Sequence, residues 1–286
     1  MRTARFDNRG GEYKCFHFRV GFHCDSKGGS PMADKCKVCG AKSVYFGDAD
    51  VLRKLRVQYF RCPRCGFMQT ETPYWLDEAY SSAIASQDVG IMFRNLMNRE
   101  VTSAVINLLF SSTTSCLDFG AGHGMFVRLM RDKGFNFFWS DLHASNDYAR
   151  GFECENGATY EFLTSFEVME HLVDPISGLE EMMNLSENVF VSTCLVPEPA
   201  PGLADWWYYV PMTGQHISFY TKESLNLLAA RFGKHLLSVG TYHLFTKEPK
   251  NSLLYRLACR PRLAKIVNCG YRRTGLIQSD FQQMTR

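Results

Sequence analysis

Nothing in this sequence approaches the ~20 consecutive apolar residues of a membrane-spanning helix; the longest apolar runs, such as Val105–Phe110, are core-sized. No apolar h-region accompanies the basic residues Arg2, Arg5, Arg9, Lys14, Arg19 and Lys27, so no secretory signal peptide is expected in residues 1–31. Charge of one sign is not in excess: 32 Lys/Arg face 29 Asp/Glu, a net +3, and hydrophobic residues make up 45%. Those proportions exclude a disordered chain, a collagen-like repeat and a disulfide-stapled miniprotein. What remains is a globular chain of 286 residues. A chain of that length buries roughly three quarters of its unfolded surface, enough for one large domain plus a small module. A soluble, cytoplasmic protein is expected. The first 31 residues are Gly-rich and lack periodicity, and Asp7, Glu12 and Asp25 argue against an organellar presequence. The plainer reading is a disordered extension, with Met32 the working start.

The small net charge conceals a division. Residues 1–75 carry 14 Lys/Arg against 7 Asp/Glu, residues 76–245 carry 9 against 20, and residues 246–286 carry 9 against 2. An acidic middle between two basic ends is compatible with nucleic-acid contact or with solvated faces.

Four of the 11 cysteines form a pattern: Cys36-x-x-Cys39-Gly40 and Cys62-x-x-Cys65-Gly66, with 22 residues between the pairs. Each is a tight turn in which the glycine supplies an unusual dihedral and backbone N–H groups face the thiolates. Two such knuckles present four sulfurs to a tetrahedral Zn²⁺, and the alternation between them (Val44, Phe46; Val57, Tyr59, Phe60) reads as short strands. The competing readings are four unliganded thiols or a rubredoxin-like iron site. Cys15, Cys24, Cys116, Cys154, Cys194, Cys259 and Cys269 show no ligand or redox spacing, which fits a reducing compartment.

Residues 91–110 place apolar side chains at a helical period. Strand-like Ser115–Asp118 then runs into Phe119-Gly120-Ala121-Gly122-His123-Gly124 and a helical MFVRLMRDK closed by Gly134, the opening of a βαβ unit. The glycines admit a ligand close to the backbone, and the following helix offers unpaired N–H groups. A dinucleotide fingerprint would need glycine where Met125 stands, and a phosphate-binding P-loop would need a Gly-Lys-Ser/Thr triplet, which is missing. A second strand-like segment ends at Asp141, 23 residues after Asp118, and a carboxylate there suits a ribose diol. The plain alternative makes Asp118 and Asp141 helix caps. Next, Tyr160–Phe166 runs into Glu167-Val-Met-Glu170-His171, and Pro175 opens a helix. Zincin chemistry is excluded by residue order and histidine count.

The D-x-G-x-G-x-G run from Asp118 to Gly124 resembles motif I of the class I S-adenosylmethionine (SAM)-dependent methyltransferases. The Glu167–Pro175 segment resembles the fourth strand of the subfamily related to ubiquinone-pathway enzymes. The order of cysteine knuckles, "PYWLDEAYSSAI", SAM motifs and "GQHISFYTKESL" resembles bacterial methyltransferases of polysaccharide and deoxysugar biosynthesis, over residues 36–246. The deoxysugar C-methyltransferases also carry a further C-terminal domain that 40 residues of basic tail do not supply, and only Gln215-His216 matches their catalytic segment. The resemblance implies an α/β class, a doubly wound Rossmann-like sheet of seven strands with a small N-terminal zinc ribbon. The expected division is an extension (1–31), a zinc ribbon (32–72), a methyltransferase domain (73–246) and a basic C-terminal tail (247–286) packing on or near it.

SAM is then the expected cofactor, with Asp118, Gly120, Ala121, Gly122, Gly124, Asp141, Leu142, Phe166, Glu167 and Arg94 as its candidate contacts, and Cys36, Cys39, Cys62 and Cys65 hold a structural Zn²⁺. His216 and His171 are the candidate bases, since imidazole titrates near neutral pH, with Glu167 facing the crevice. His123 is placed in the SAM pocket. Trp206, Trp207, Tyr208 and Tyr209 stack on an acceptor or form a lid packed on the core. The expected acceptor is a small molecule, a sugar or polysaccharide precursor. Two alternatives stand beside it: an RNA methyltransferase docking through the ribbon, and a non-catalytic zinc-ribbon interaction protein.

Overall fold

The computed structural model describes residues 35–81, 88–110 and 115–285. The extension expected over residues 1–31, and Met32, lie outside the described residues. The chain begins with β1 (Val44–Val51), β2 (Leu55–Arg61), β3 (Met68–Thr70), α1 (Leu76–Ala79) and α2 (Ile91–Leu109). Next come β4 (Cys116–Phe119), α3 (Met125–Asp132), β5 (Phe137–Ser140), β6 (Phe162–Phe166), a 3₁₀ turn at Met169–His171, α4 (Pro175–Leu185) and β7 (Val189–Ser192). The chain closes with β8 (Ser218–Phe219), α5 (Lys222–Arg231), β9 (His235–Val239), β10 (Tyr242–Thr246), α6 (Ser252–Ala258), α7 (Pro261–Cys269) and α8 (Ile277–Met284).

The main sheet has the order β5-β4-β6-β7-β10-β9, with β4 to β7 parallel and β10 antiparallel to both of its neighbours. Its central strands are apolar on both faces because helices cover both. Leu117, Leu163, Val189 and Val191 face Leu179, Met182, Leu225 and Leu228 of α4 and α5. Alternate positions Cys116, Phe162 and Phe190 turn the other way, toward Val105, Val127 and Tyr255 of α2, α3 and α6. The chain leaves β4 for β5 on one side and returns to β6 on the other, so a crevice opens at the carboxyl ends of β4 and β6.

The sheet has six strands among the described residues, not the expected seven. Beyond β5, a single parallel bridge joins Trp139 to Glu153. Left-handed glycines on either side, Gly151 (φ +84°) and Gly157 (φ +77°), stop that stretch from continuing as a strand.

The cysteine module is joined to the larger unit more closely than its sequence boundary suggests. β1, β2 and β3 form an antiparallel sheet whose last strand is β8, from residues 218–219, with Met68 opposite Phe219 and Gln69 opposite Ser218. Thr221 caps α5, accepting from Ser224 N at 3.1 Å, and its hydroxyl donates to the Cys65 carbonyl at 2.5 Å. Cys36, Cys62 and Cys65 share one core with Leu225 and Leu228.

The basic C-terminal stretch, expected to pack on or near the domain, forms helices α6 to α8 over residues 252–284. α8 is fastened by Asp280, whose carboxylate accepts from Arg131 Nη2 at 2.7 Å and Nε at 2.9 Å, both side chains nearly fully buried. Arg131 also donates to Asn136 Oδ1 and the Phe137 carbonyl, and its guanidinium lies 3.6 Å from the Phe152 ring centroid. Removing one partner leaves a buried charge uncompensated, so Asp280→Ala is expected to cost about 3 kcal/mol in urea unfolding. The double variant Arg131→Met/Asp280→Leu is expected to recover most of that loss; equal destabilisation of both variants would refute this role for the pair.

Candidate active site

A cavity of about 1180 Å³ occupies the crevice, walled on one side by the Asp118–Gly122 loop and Asp141 and on the other by residues 167–173 and 207–216. Three glycines shape the first wall, all with left-handed backbone: Gly120 at φ +71°, Gly122 at +52° and Gly124 at +84°. Gly120 N and Ala121 N donate to the Ser140 carbonyl at 2.9 and 3.1 Å, which pins the loop to the end of β5. A Cβ on Gly120 would lie 2.5 Å from Val168 Cγ2, whereas one on Gly122 would meet nothing within 4 Å. Gly122 is thus the place where a ligand can lie against bare backbone.

Asp118 is buried at the end of β4 and accepts from Thr164 Oγ1 at 2.6 Å; burial pushes its carboxyl up to about 7. Asp141 accepts from three backbone groups: Gly122 N at 2.8 Å on Oδ2, and His143 N at 2.7 Å and Ala144 N at 2.8 Å on Oδ1. It therefore fixes the glycine loop against the end of β5, and Oδ2 keeps a lone pair free beside the cavity. Ala121, Leu142, Phe166 and Arg94 also line the cavity. Arg94 is ion-paired with Asp88 in the first turn of α2. Phe166 packs edge-on against Phe126, with ring centroids 5.1 Å apart.

Two expected contacts face elsewhere. A Cβ on Gly124 would meet Asn146 Oδ1 at 2.6 Å and Ala149, so this residue starts α3 and does not border the cavity. His123 likewise points away, its Nδ1 2.8 Å from Asp147 Oδ2. A motif spacing does not reveal which way each loop residue turns.

The opposite wall gathers Glu167, Glu170, His171 and His216. Glu167 follows β6 with φ +55°, a left-handed conformation that is costly for a residue with a side chain. It is held by Ser192, whose hydroxyl donates to Oε1 at 2.7 Å and lies 3.0 Å from Glu167 N. Burial, reinforced by Glu170, pushes the Glu167 carboxyl up to about 7. Glu170 is fully buried: Tyr208 O–H donates to Oε1 at 2.5 Å, while Oε2 has no partner. Burial raises this carboxyl to about 7 as well.

The two histidines, 45 positions apart in sequence, stand with ring centroids 5.1 Å apart. His171 Nδ1 is 2.9 Å from the Tyr80 hydroxyl, and His216 Nδ1 donates to the Tyr208 carbonyl at 2.7 Å. Burial holds His171 well below the usual imidazole value and lowers His216 too. Both rings are therefore neutral near pH 7. One ligand-type atom from each of Glu170, His171 and His216 lies within 4.8 Å of the others.

Glu170 and Tyr80 lie within longer sequence motifs that give neither a role. The available signal was Glu170's place beside His171 in the E-x-x-E-H turn. The aromatic quartet divides: Tyr208 and Tyr209 are buried in the core beneath the cysteine sheet, while Trp207 is 73% exposed at the cavity's edge.

The four knuckle sulfurs also converge. Cys36 Sγ and Cys65 Sγ are 3.6 Å apart, Cys39 Sγ and Cys62 Sγ 3.5 Å, and all four lie within 4.8 Å of one another. A tetrahedral Zn²⁺ with Zn–S of ~2.3 Å needs sulfur edges of about 3.8 Å, so the donor set fits that ion.

Residues 93–239 match the family model described as a methyltransferase domain. No curated protein matches the sequence. Among similar solved structures is the plantazolicin methyltransferase BpumL with a pentazolic desmethylPZN analog and SAH (12% identity, TM-score 0.48, 70% of this chain and 89% of that chain). Two others are magnesium protoporphyrin IX methyltransferase (ChlM) from Synechocystis PCC 6803 with bound SAM (12%, TM-score 0.37, 61% and 90%) and human N-acetylserotonin methyltransferase with SAM (14%, TM-score 0.41, 61% and 66%). The family match spans more than half of the chain and contains the glycine loop, five of the six strands of the main sheet whole, and His171 and His216 of the cavity. This chain belongs to the methyltransferase domain family.

Proposed function

We propose that this enzyme methylates a small-molecule acceptor, of the sugar or polysaccharide-precursor class, bound against the wall formed by Glu167, His171 and His216. The observation that carries the reading is a single cavity with bare glycine backbone and Asp141 on one side and a carboxylate–imidazole cluster facing it. SAM, when bound, supplies an electrophilic methyl on a sulfonium, so the protein's task is alignment and proton removal. Gly120, Ala121 and Gly122 offer the close backbone surface, the free lone pair of Asp141 Oδ2 suits a ribose hydroxyl, and Phe166 and Leu142 border the same space. Asp118 acts from behind, bracing β4 against β6 through Thr164. Arg94, held by Asp88, presents positive charge to this side of the cavity.

Across the cavity, His216 donates Nδ1–H to a carbonyl, so Nε2 carries the lone pair and is the nitrogen free to act. Glu167, with a carboxyl near 7, stands in the same wall. The exposed indole of Trp207 at the cavity's edge offers a flat apolar face suited to a sugar ring. The knuckle cysteines Cys36, Cys39, Cys62 and Cys65 would hold a structural Zn²⁺ that fixes β3 and, through it, β8.

The RNA-docking alternative draws on the basic ends. On the C-terminal one, Arg273 lies 4.2 Å over the Phe135 ring and Lys250 4.7 Å over Phe110, packed on the helical layer. Nothing at the cavity favours that alternative.

Calorimetry with S-adenosylhomocysteine is expected to show one site per chain. Gly122→Ala places a Cβ in the open space and strains a left-handed residue by about 1 kcal/mol, so the fold should survive while affinity falls at least about tenfold. Unchanged affinity in Gly122→Ala would refute the placement. Elemental analysis is expected to find one zinc per chain, lost in Cys62→Ser together with thermal stability. A folded wild-type protein free of zinc, with all four thiols titratable, would refute the structural metal.

A further inference from the structure

Glu170, His171 and His216 share three properties that a proton-relay reading leaves without use. First, one donor atom from each converges within 4.8 Å. A first-row divalent cation takes imidazole nitrogen and carboxylate oxygen at ~2.0–2.2 Å, so donors this close need only small side-chain movements to close on one ion. Second, Glu170 is completely buried, yet Oε2 has no hydrogen-bond partner, and Arg94 is committed to Asp88. A buried carboxylate oxygen left bare carries a desolvation cost unless something positive meets it.

Third, each donor is supported from behind. The His216 Nδ1–H is anchored on the Tyr208 carbonyl, which leaves Nε2 unprotonated. His171 Nδ1 is anchored on the Tyr80 hydroxyl, and the Tyr80 ring is stacked on His143 with centroids 4.9 Å apart and planes 13° apart. The Tyr208 hydroxyl donates to the other oxygen of Glu170. Outer hydrogen bonds of this kind fix the tautomer and ring orientation of metal-ligating histidines and orient ligating carboxylates.

We propose that Glu170, His171 and His216 form a binding site for a first-row divalent cation in the wall of the cavity opposite the glycine loop. Two imidazoles with one carboxylate favour a transition-metal dication over Mg²⁺ or Ca²⁺, which prefer all-oxygen sites. Three protein ligands leave positions open, and His171 and His216 border the cavity, so those positions face it and take water or oxygen atoms of the acceptor. This deepens the methyl-transfer reading and rests on it only for what the cation would do: with the cation in place the His216 Nε2 lone pair is taken by it, and Glu167 is the group of this wall left to accept the acceptor's proton. The site itself stands on the geometry of the three residues.

The test uses the full-length protein loaded with zinc and Mn²⁺ as the probe, because manganese competes poorly for thiolates. Electron paramagnetic resonance titration is expected to show one bound Mn²⁺ per chain beyond the cysteine zinc. Glu170→Gln and His216→Gln, each close in size to the residue replaced, are expected to weaken Mn²⁺ at least about tenfold while zinc content and S-adenosylhomocysteine binding persist. Tyr80→Phe, which removes only the anchor of His171, is expected to weaken it by a smaller factor. Wild-type protein that binds S-adenosylhomocysteine but no Mn²⁺, or Mn²⁺ binding equal in wild type and both Gln variants, would overturn the cation site and leave the methyltransferase reading standing. Mn²⁺ binding that responds to the variants in a protein with no affinity for S-adenosylhomocysteine would support the site and count against that reading.

Discussion

The pairing of the two-residue strand β8 with β3 determines how the wall that carries Glu170, His171 and His216 is built. Residues 215–221 pass between the cysteine module and the main sheet and are bonded to both. On one side Thr70 N donates to the Ile217 carbonyl, and the Thr221 hydroxyl donates to the Cys65 carbonyl. On the other, Ile217 N donates to the Glu170 carbonyl, Ser218 Oγ to that of Leu172 and Tyr220 O–H to that of Met169. The turn that presents Glu170 and His171 thus has its carbonyls satisfied by the 215–221 segment, which also carries His216. Satisfying buried backbone groups in this way is obligatory, and here it also fixes the relative position of the two histidines. The cysteine module therefore braces this wall without any of its four knuckle sulfurs bordering the cavity.

Burial governs the electrostatics of this wall. Burial shifts the carboxyls of Glu167 and Glu170 upward and both imidazoles downward, each toward its neutral form. Four titratable groups are packed together, with the two carboxyls the seat of any negative charge, which a bound cation or a developing positive charge can offset. The left-handed Glu167 belongs to the same design. Its backbone strain, on the order of 1–3 kcal/mol, is sustained by Ser192, which bonds both its N–H and its carboxylate. The strained conformation lets the carboxylate follow β6 directly into the cavity wall.

Local patterns in the chain carried much of this. The helical period over residues 91–110, the glycine run after Asp118, the acid at Asp141 and the Asp174-Pro175 helix start all correspond to local structure: α2, the left-handed loop, the end of β5, and α4 with Asp174 accepting from Ile176 N and Ser177 N. Long-range pairing did not show. β8 is two residues long and has no period to detect, and Arg131 meets Asp280 149 positions later. For the same reason the basic C-terminal stretch gave no sign of its three helices. The approach of His171 to His216 and the empty side of Glu170 are products of packing, with no counterpart in spacing. The absence of a seventh strand among the described residues and the outward turn of Gly124 and His123 show the converse: a motif fixes chain order and leaves open how each residue is aimed.

The central claim is that one cavity joins the glycine-loop wall to the carboxylate–imidazole wall for a single reaction. A crystal structure with S-adenosylhomocysteine tests it most directly. The account predicts the ligand along Gly120–Gly122 with its ribose beside Asp141. Its sulfur should face His171 and His216, leaving room for an acceptor atom ~3–3.5 Å from where the methyl carbon would stand. A ligand bound outside this cavity, or a sulfur turned away from both histidines, would contradict it.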